Sequence, residues 1–185
     1  MQSNLDGVVD CPMTKAQEDS ANRKLLRYFI HSNTAFIQAN SIFLGNFTNE
    51  LRPSFHVASR NVMSTIFLDS EASRVHLDVV NTLQMMKRSG TFIIDGREDD
   101  LRRSLYGSAV ARVGEPTLVL GLEDLTGHRG SALKILEAAD TAMEEMGIEK
   151  ASCILGLITD NPSVMKAFRK SFVNKYPWVI VSELA

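Results

Sequence analysis

The chain has 185 residues, with 20 Lys+Arg against 22 Asp+Glu, a formal charge of -2, and 44% hydrophobic and 23% charged residues. At roughly 150 residues per domain this predicts one globular domain, or one domain carrying a helical extension, and the composition excludes a disordered, collagenous or coiled-coil chain. The near-balanced charge excludes a module that coats polyanions over its whole surface, while leaving room for one local basic face. Cys11 and Cys153 stand far apart and outside any Cys-x-x-Cys or Cys/His pair, so neither a disulfide framework nor a zinc site is expected. No apolar run approaches the roughly 20 residues that cross a bilayer. The first residues lack the basic start and apolar block of a secretory signal, so an intracellular, reducing setting is expected.

Three stretches follow in chain order: residues 1–18 without structure, a helical region over 19–90, and a region of strands and helices over 91–185. Asp19 or Ser20 is suited to cap a helix whose Leu25, Leu26, Phe29 and Ile30 form one stripe. Phe43, Phe47 and Leu51 recur every four residues until Pro53 stops them. Ser59 suits the start of a third helix. A longer one carries Ala72, Val75, Val79, Leu83 and Met86 on one face, with Lys87, Arg88 and Gly90 as its stop signals.

From residue 91 the period changes. The apolar run 91–95 ends in Asp95-Gly96 and reads as a buried strand, 104–113 as a longer strand, and 117–122 as a third after the turn at Gly114 and Pro116. Ala132, Ile135, Leu136, Ala139, Met143 and Met146 then keep helical spacing up to Gly147. Residues 151–159 form the most apolar strand. Pro162 suits the first turn of a helix with Met165, Phe168 and Phe172 inward, and 178–181 closes with a short strand. The order β-β-β-α-β-α-β predicts an α/β protein with an incomplete ribonuclease H-like fold preceded by a helical region. Right-handed crossovers would set the strand 151–159 parallel to and beside the strand ending at Asp95.

Asp95 and Asp160 would then meet at the carboxyl edge of the sheet, where open α/β sheets bind ligands. Two carboxylates held close repel each other unless a cation lies between them, and Mg²⁺ or Mn²⁺ suits such oxygen ligands. A pair of ions bridged in this way can activate water in phosphodiester cleavage. The plainer reading is that Asp after a strand forms turns and Asp before a Pro-led helix caps it. Glu98, Asp99 and Asp100 read as a solvated loop, and Glu123 with Asp124 as turn formers.

The remaining polar groups carry weaker signals. His31, His56, His76 and His128 lack ligand spacing and read as surface or cap residues, and Cys153 reads as a small core residue. Residues 127–131 precede a helix that could hold an anion, but lack the Gly-Lys-Ser/Thr ending of a phosphate loop. Lys166, Arg169, Lys170 and Lys175 recur along one helix, with Arg102 and Arg103 as neighbours; a DNA-contacting face and a solvated helix face both explain them.

Ile94-Asp95-Gly96 and Ile158-Thr159-Asp160-Asn161-Pro162-Ser163-Val164-Met165 resemble the first two acidic motifs of hAT superfamily transposases. The likeness extends to Phe47, Leu51-Arg52-Pro53-Ser54, Ser59-Arg60 and Leu68-Asp69-Ser70-Glu71 in the helical lead-in. It also covers 103–107 and 120–127, as in fungal members of the group, and runs from about residue 22 to 178. The resemblance implies a nuclear DNA cut-and-paste transposase, in which an Asp-Asp-Glu triad holds divalent ions and DNA is the partner. Asp95 and Asp160 match the two aspartates as catalytic and metal-binding residues. The chain departs from the pattern elsewhere. Arg97 stands where the family has Trp, no family-type third glutamate or Cys-x-x-His motif follows Trp178, Glu183 stands too early to be that glutamate, and the N-terminal zinc finger has no counterpart. The expectation is therefore a catalytically incomplete, hAT-derived fragment that does not transpose DNA alone. It is expected to associate with itself or with a full-length transposase. The alternatives are a reused DNA- or protein-binding module and a metal-dependent phosphoesterase.

Overall fold

The computed structural model describes residues 11–128, 130–160 and 162–183. The chain forms two compact units, 1–75 and 76–185. The division falls inside a helix, between Val75 and His76, rather than at residue 90, because the last turns of that helix carry the side chains that join the core of the second unit.

In the first unit, α1 (Lys15–His31) is capped by Thr14, five residues before Asp19, so residues 15–18 are helical. The cause is a capping box: Gln17 N donates to Thr14 Oγ1 (3.3 Å), and Thr14 N donates to Gln17 Oε1 (2.9 Å). A 3₁₀ turn (Phe36–Asn40) leads to α2 (Ile42–Leu51). Ser59 caps α3 (Arg60–Val62), which widens into a π-helical turn over Met63–Phe67 and continues as α4 (Leu68–Met85). Leu26, Phe29, Ala39, Met63 and Phe67 form this unit's core. Buried Asn22 ties α1 to the segment before α3, its Nδ2 donating to the His56 carbonyl (3.1 Å) and its Oδ1 accepting from Ala58 N (2.8 Å).

The apolar face expected along α4 is buried only in its second half: Val79, Leu83 and Met86 join the core of the second unit, whereas Ala72 and Val75 are exposed. In the first half the buried side chain is Glu71, gripped by two arginines. Arg74 Nη2 donates to Oε1 (2.8 Å) and Nε to Oε2 (3.1 Å), while Arg27 Nε donates to Oε1 (2.7 Å). These hydrogen bonds, Arg74's first, hold the Glu71 carboxyl down at about 2.

The second unit is a five-stranded open α/β sheet in the order β3-β2-β1-β4-β5. Its strands are β1 (Gly90–Glu98), β2 (Ser104–Ala111), β3 (Leu118–Asp124), β4 (Ile154–Thr159) and β5 (Ile180–Glu183), with α5 (Ala132–Glu145) and α6 (Ser163–Lys175) as crossovers. β1, β2 and β3 pair antiparallel; β4 pairs parallel with β1 and with β5. Phe92, Ile94, Val110 and Leu157 from the sheet pack with Ile135, Met143, Phe168 and Phe172 from the helices. Phe92 stacks on Phe172 at 5.8 Å, which also meets Phe168 and Tyr176. Asp140 bolts α5 to the end of α6, accepting from Tyr176 Oη (2.7 Å) and Lys175 Nζ (2.6 Å). Burial and this bond push the tyrosine hydroxyl up to about 12.

Several boundaries differ from expectation for identifiable reasons. Gly90 opens β1 instead of merely stopping α4: a Cβ there would lie 2.8 Å from Val110 Cγ1 and 3.1 Å from the Cys153 carbonyl. β1 continues past Asp95 because its antiparallel pairing with β2 extends to Glu98↔Ser104. Glu123 and Asp124 belong to β3. β5 begins only at Ile180, after a turn in which Val179 N donates to the Tyr176 carbonyl. Pro162 is the residue before α6, extended at ψ 158.

Candidate functional site

The parallel register of β1 and β4 runs Phe92↔Leu157 and Ile93↔Ile158. Two residues further along stand Asp95, inside β1, and Asp160, just past the end of β4, near enough for the charge of Asp95 to act on Asp160. There β4 has left the sheet, while Asp95 stays paired to Gly107 of β2. The glycine after Asp95 has a packing reason: Gly96 pairs with Tyr106, and an added Cβ would collide with the tyrosine ring.

Asp95 is exposed and Asp160 half-buried. Asp160 Oδ1 is fully buried and accepts no hydrogen bond among the described residues. Burial and, next, the negative charge of Asp95 raise the Asp160 pKa above the ordinary carboxylate range, against a smaller opposing pull from Arg169. A buried acceptor without a donor, beside a second carboxylate, is a place where a cation would be stabilising. Asp95 and Asp160 therefore fit two oxygen ligands of a hard divalent ion.

Arg169 is the residue that the sequence reading misplaced. Instead of joining an exposed basic stripe it is 5% exposed, with Nη1 donating to Thr159 Oγ1 (2.8 Å) and to the Asp160 carbonyl oxygen (2.9 Å). Thr159, itself buried, donates to the same carbonyl (2.7 Å), so the turn carrying Asp160 is held from beneath. The signal was available: Arg169 lies four residues after inward-facing Met165, on the buried side of α6. Lys175 is committed to Asp140, which leaves Lys166 and Lys170 as the exposed cations of that helix.

The other candidates fall elsewhere. Asp99 accepts from Leu101 N, Arg103 N and Arg103 Nε, forming a local turn that occupies Arg103; Arg102 is exposed with a positive φ. Asp124 accepts from Thr126. All four histidines are exposed, and Cys153 is buried with its thiol pKa raised by that burial. Ser131 caps α5, while Arg129 and Asn161 lie outside the described residues. The backbone of Glu183 registers with Thr159. Among the described residues no group of three His, Cys, Asp or Glu could hold a metal. A cavity of about 610 Å³, lined by Leu83, Gln84, Arg88, Ile148, Lys150 and Trp178, lies by the amino ends of β1 and β4, away from the two aspartates. Among the described residues no helix is long and apolar enough to cross a membrane.

Comparison of the chain with family models, curated proteins and solved structures gave no match.

Proposed function

We propose that the chain derives from an hAT transposase, that its second unit is a ribonuclease H-like domain, and that Asp95 and Asp160 are a divalent-ion site. The observation that carries this reading is the nearness of Asp95, in β1, to Asp160, just past the end of the neighbouring parallel strand β4, with Asp160 Oδ1 buried and without a donor among the described residues. The sheet order β3-β2-β1-β4-β5, with three antiparallel strands followed by two parallel ones, supports it.

Asp95 and Asp160 would hold Mg²⁺ or Mn²⁺, which when bound supplies polarisation of a phosphate oxygen and a lowered pKa for bound water. The chain's own contribution is positional: Arg169 and Thr159 fix the turn on which Asp160 stands, and Asp160 stays partly shielded from water. Two carboxylates hold such an ion weakly, and a scissile phosphate is poorly positioned without a further ligand. On α6, Lys166 and Lys170 are the cations left for a DNA backbone, a small share of what tight phosphate binding needs. By its resemblance to hAT transposases the chain would act in the nucleus as a DNA-transposition relative, and with these two carboxylates by themselves it would neither cut nor join strands. Reuse as a binding module is the second reading, favoured by the exposed apolar side chains of α2.

Thermal denaturation tests the site without requiring activity. At millimolar Mn²⁺ or Mg²⁺ the wild-type midpoint should rise by about 3 °C, and Asp95→Asn and Asp160→Asn should each abolish the rise. An equal rise in both variants would remove the site. Supercoiled plasmid incubated with the protein and Mn²⁺ should remain intact; nicking lost on Asp95→Asn would show that the catalytic set is complete.

A further inference from the structure

The cleft of about 610 Å³ at the amino ends of β1 and β4 gathers polar groups that the core of the second unit leaves unused. Arg88 and Lys150 line it, both exposed, and among the described residues neither makes an ion pair. The Arg88 guanidinium lies 5.0 Å from the centre of the Trp178 ring, so the indole holds its flat face while its N–H edges stay open. Trp178 lines the cleft too, and its Nε1 is buried with no acceptor among the described residues. A buried donor left unpaired costs stability until an oxygen reaches it. The loop between α5 and β4 turns sharply along the rim: Gly147 stands at φ 70°, Lys150 at 49° and Ala151 at 52°. Left-handed backbone is costly for Lys and Ala, and the fully buried Ala151 holds it in place; strain of this kind gathers at ligand sites.

We propose that this cleft binds a phosphate monoester with a hydroxylated carbon body, the chemistry of a nucleotide or a sugar phosphate. The inference is independent of the Asp95 and Asp160 reading, since the cleft lies at the opposite end of the parallel strands. Arg88 and Lys150 would take the phosphate, Arg88 through two parallel N–H bonds, and Ser152 adds a hydroxyl donor. The phosphate of a monoester has three free oxygens to meet them, where a carboxylate has two. Glu149 decides the rest of the ligand. As an exposed carboxylate on the same rim it repels a bare anion and accepts from a hydroxyl. The C-terminal turns of α4 and α5, which border the cleft at Gln84 and Gly147, likewise favour donors over anions. Leu83, Met86 and Ile148 supply an apolar floor for the carbon body.

Equilibrium dialysis of the full chain tests the proposal, with adenosine monophosphate, glucose 6-phosphate, inorganic phosphate and adenosine as probes. At least one of the two esters should bind saturably with a dissociation constant below about 1 mM, and about tenfold or more tighter than inorganic phosphate or adenosine. Arg88→Ala should weaken that ester about tenfold or more, while Lys166→Ala on α6 should leave it unchanged. Emission of Trp178 should shift with the same midpoint, because the ligand re-seats the arginine stacked against the ring. Lys150→Gly separates binding from folding. It relaxes the left-handed backbone, so the thermal midpoint should hold or rise while affinity for the ester falls about tenfold. No saturable binding of either ester up to about 10 mM, or inorganic phosphate binding as tightly as the better ester, would overturn the proposal. So would affinity indifferent to both Arg88→Ala and Lys150→Gly, or affinity lost on Asp95→Asn instead, which would put the phosphate at the other edge of the sheet.

Discussion

The two units solve the same packing problem with different success. In the second, a sheet and two crossover helices enclose one continuous core that runs from Leu83 through Phe92 and Leu157 to Phe172 and Val179, although Val119, Leu155 and Ile180 of the sheet stay exposed. In the first, short helices offer more apolar stripes than there are faces to receive them: the core is confined to Leu26, Phe29, Ala39, Met63 and Phe67, while Phe43, Phe47, Leu51 and Ile66 are exposed. Polar ties do more there. Asn22 and the Glu71 carboxylate hold α1 to the segments around them. Burial of apolar surface is the main source of stability, so the second unit should be the more stable and the first the one that depends on specific hydrogen bonds.

The largest expected effect would break the second unit. Phe172→Ala, which removes a fully buried ring in contact with Phe92, Phe168 and Tyr176, should cost about 4 kcal/mol in urea denaturation. Fluorescence of Trp178, the chain's one tryptophan, reports this unit. A cost below about 1 kcal/mol would refute the idea of one continuous core.

Next comes Glu71, which probes the first unit. Its folded pKa of about 2 lies below the ordinary 4.5, so its stabilisation is fully present above about pH 4.5 and is lost as the pH falls toward 2. Glu71→Gln should cost about 2 kcal/mol at neutral pH. It should also flatten the acid-side loss of α1 protection measured by amide hydrogen exchange; an unchanged pH profile would show that the arginine grip is dispensable.

The smallest effect has the opposite sign. A carboxyl whose folded pKa is raised costs stability above that pKa, and the cost is relieved on acidification below the unfolded value. Asp160→Asn should therefore stabilise the second unit by roughly 1 kcal/mol at neutral pH, the usual direction when a strained functional site is neutralised. The gain should shrink as pH falls. A destabilised variant would mean that Asp160 serves as a structural cap.

The sequence made some of this legible and hid the rest for physical reasons. The nearness of Asp95 to Asp160 was legible because two apolar runs and the crossover rule set β1 and β4 side by side, whereas the run of β1 on to Glu98 was not, since it depends on pairing with β2. Arg169 was not, because a cation at helical spacing reads the same whether it faces water or a buried threonine; only its four-residue offset from Met165 distinguished the two. The Glu71 grip needed Arg27 from 44 residues away, a pairing that no local pattern encodes. The α2 stripe was visible as a period, but periodicity shows that an apolar face exists and never what covers it. The capping box of Thr14 and Gln17 is legible in the sequence as a Thr followed three residues later by Gln.

The central claim is that Asp95 and Asp160 form one cation-seeking edge, and the most direct measurement of it is a Mn²⁺ titration followed by electron paramagnetic resonance. The wild-type chain should remove free Mn²⁺ signal with weak, single-site saturation, and Asp95→Asn and Asp160→Asn should each abolish that loss, while Asp99→Asn should leave it unchanged. Loss of signal equal in all four proteins, or no loss in the wild type up to millimolar metal, would contradict the account.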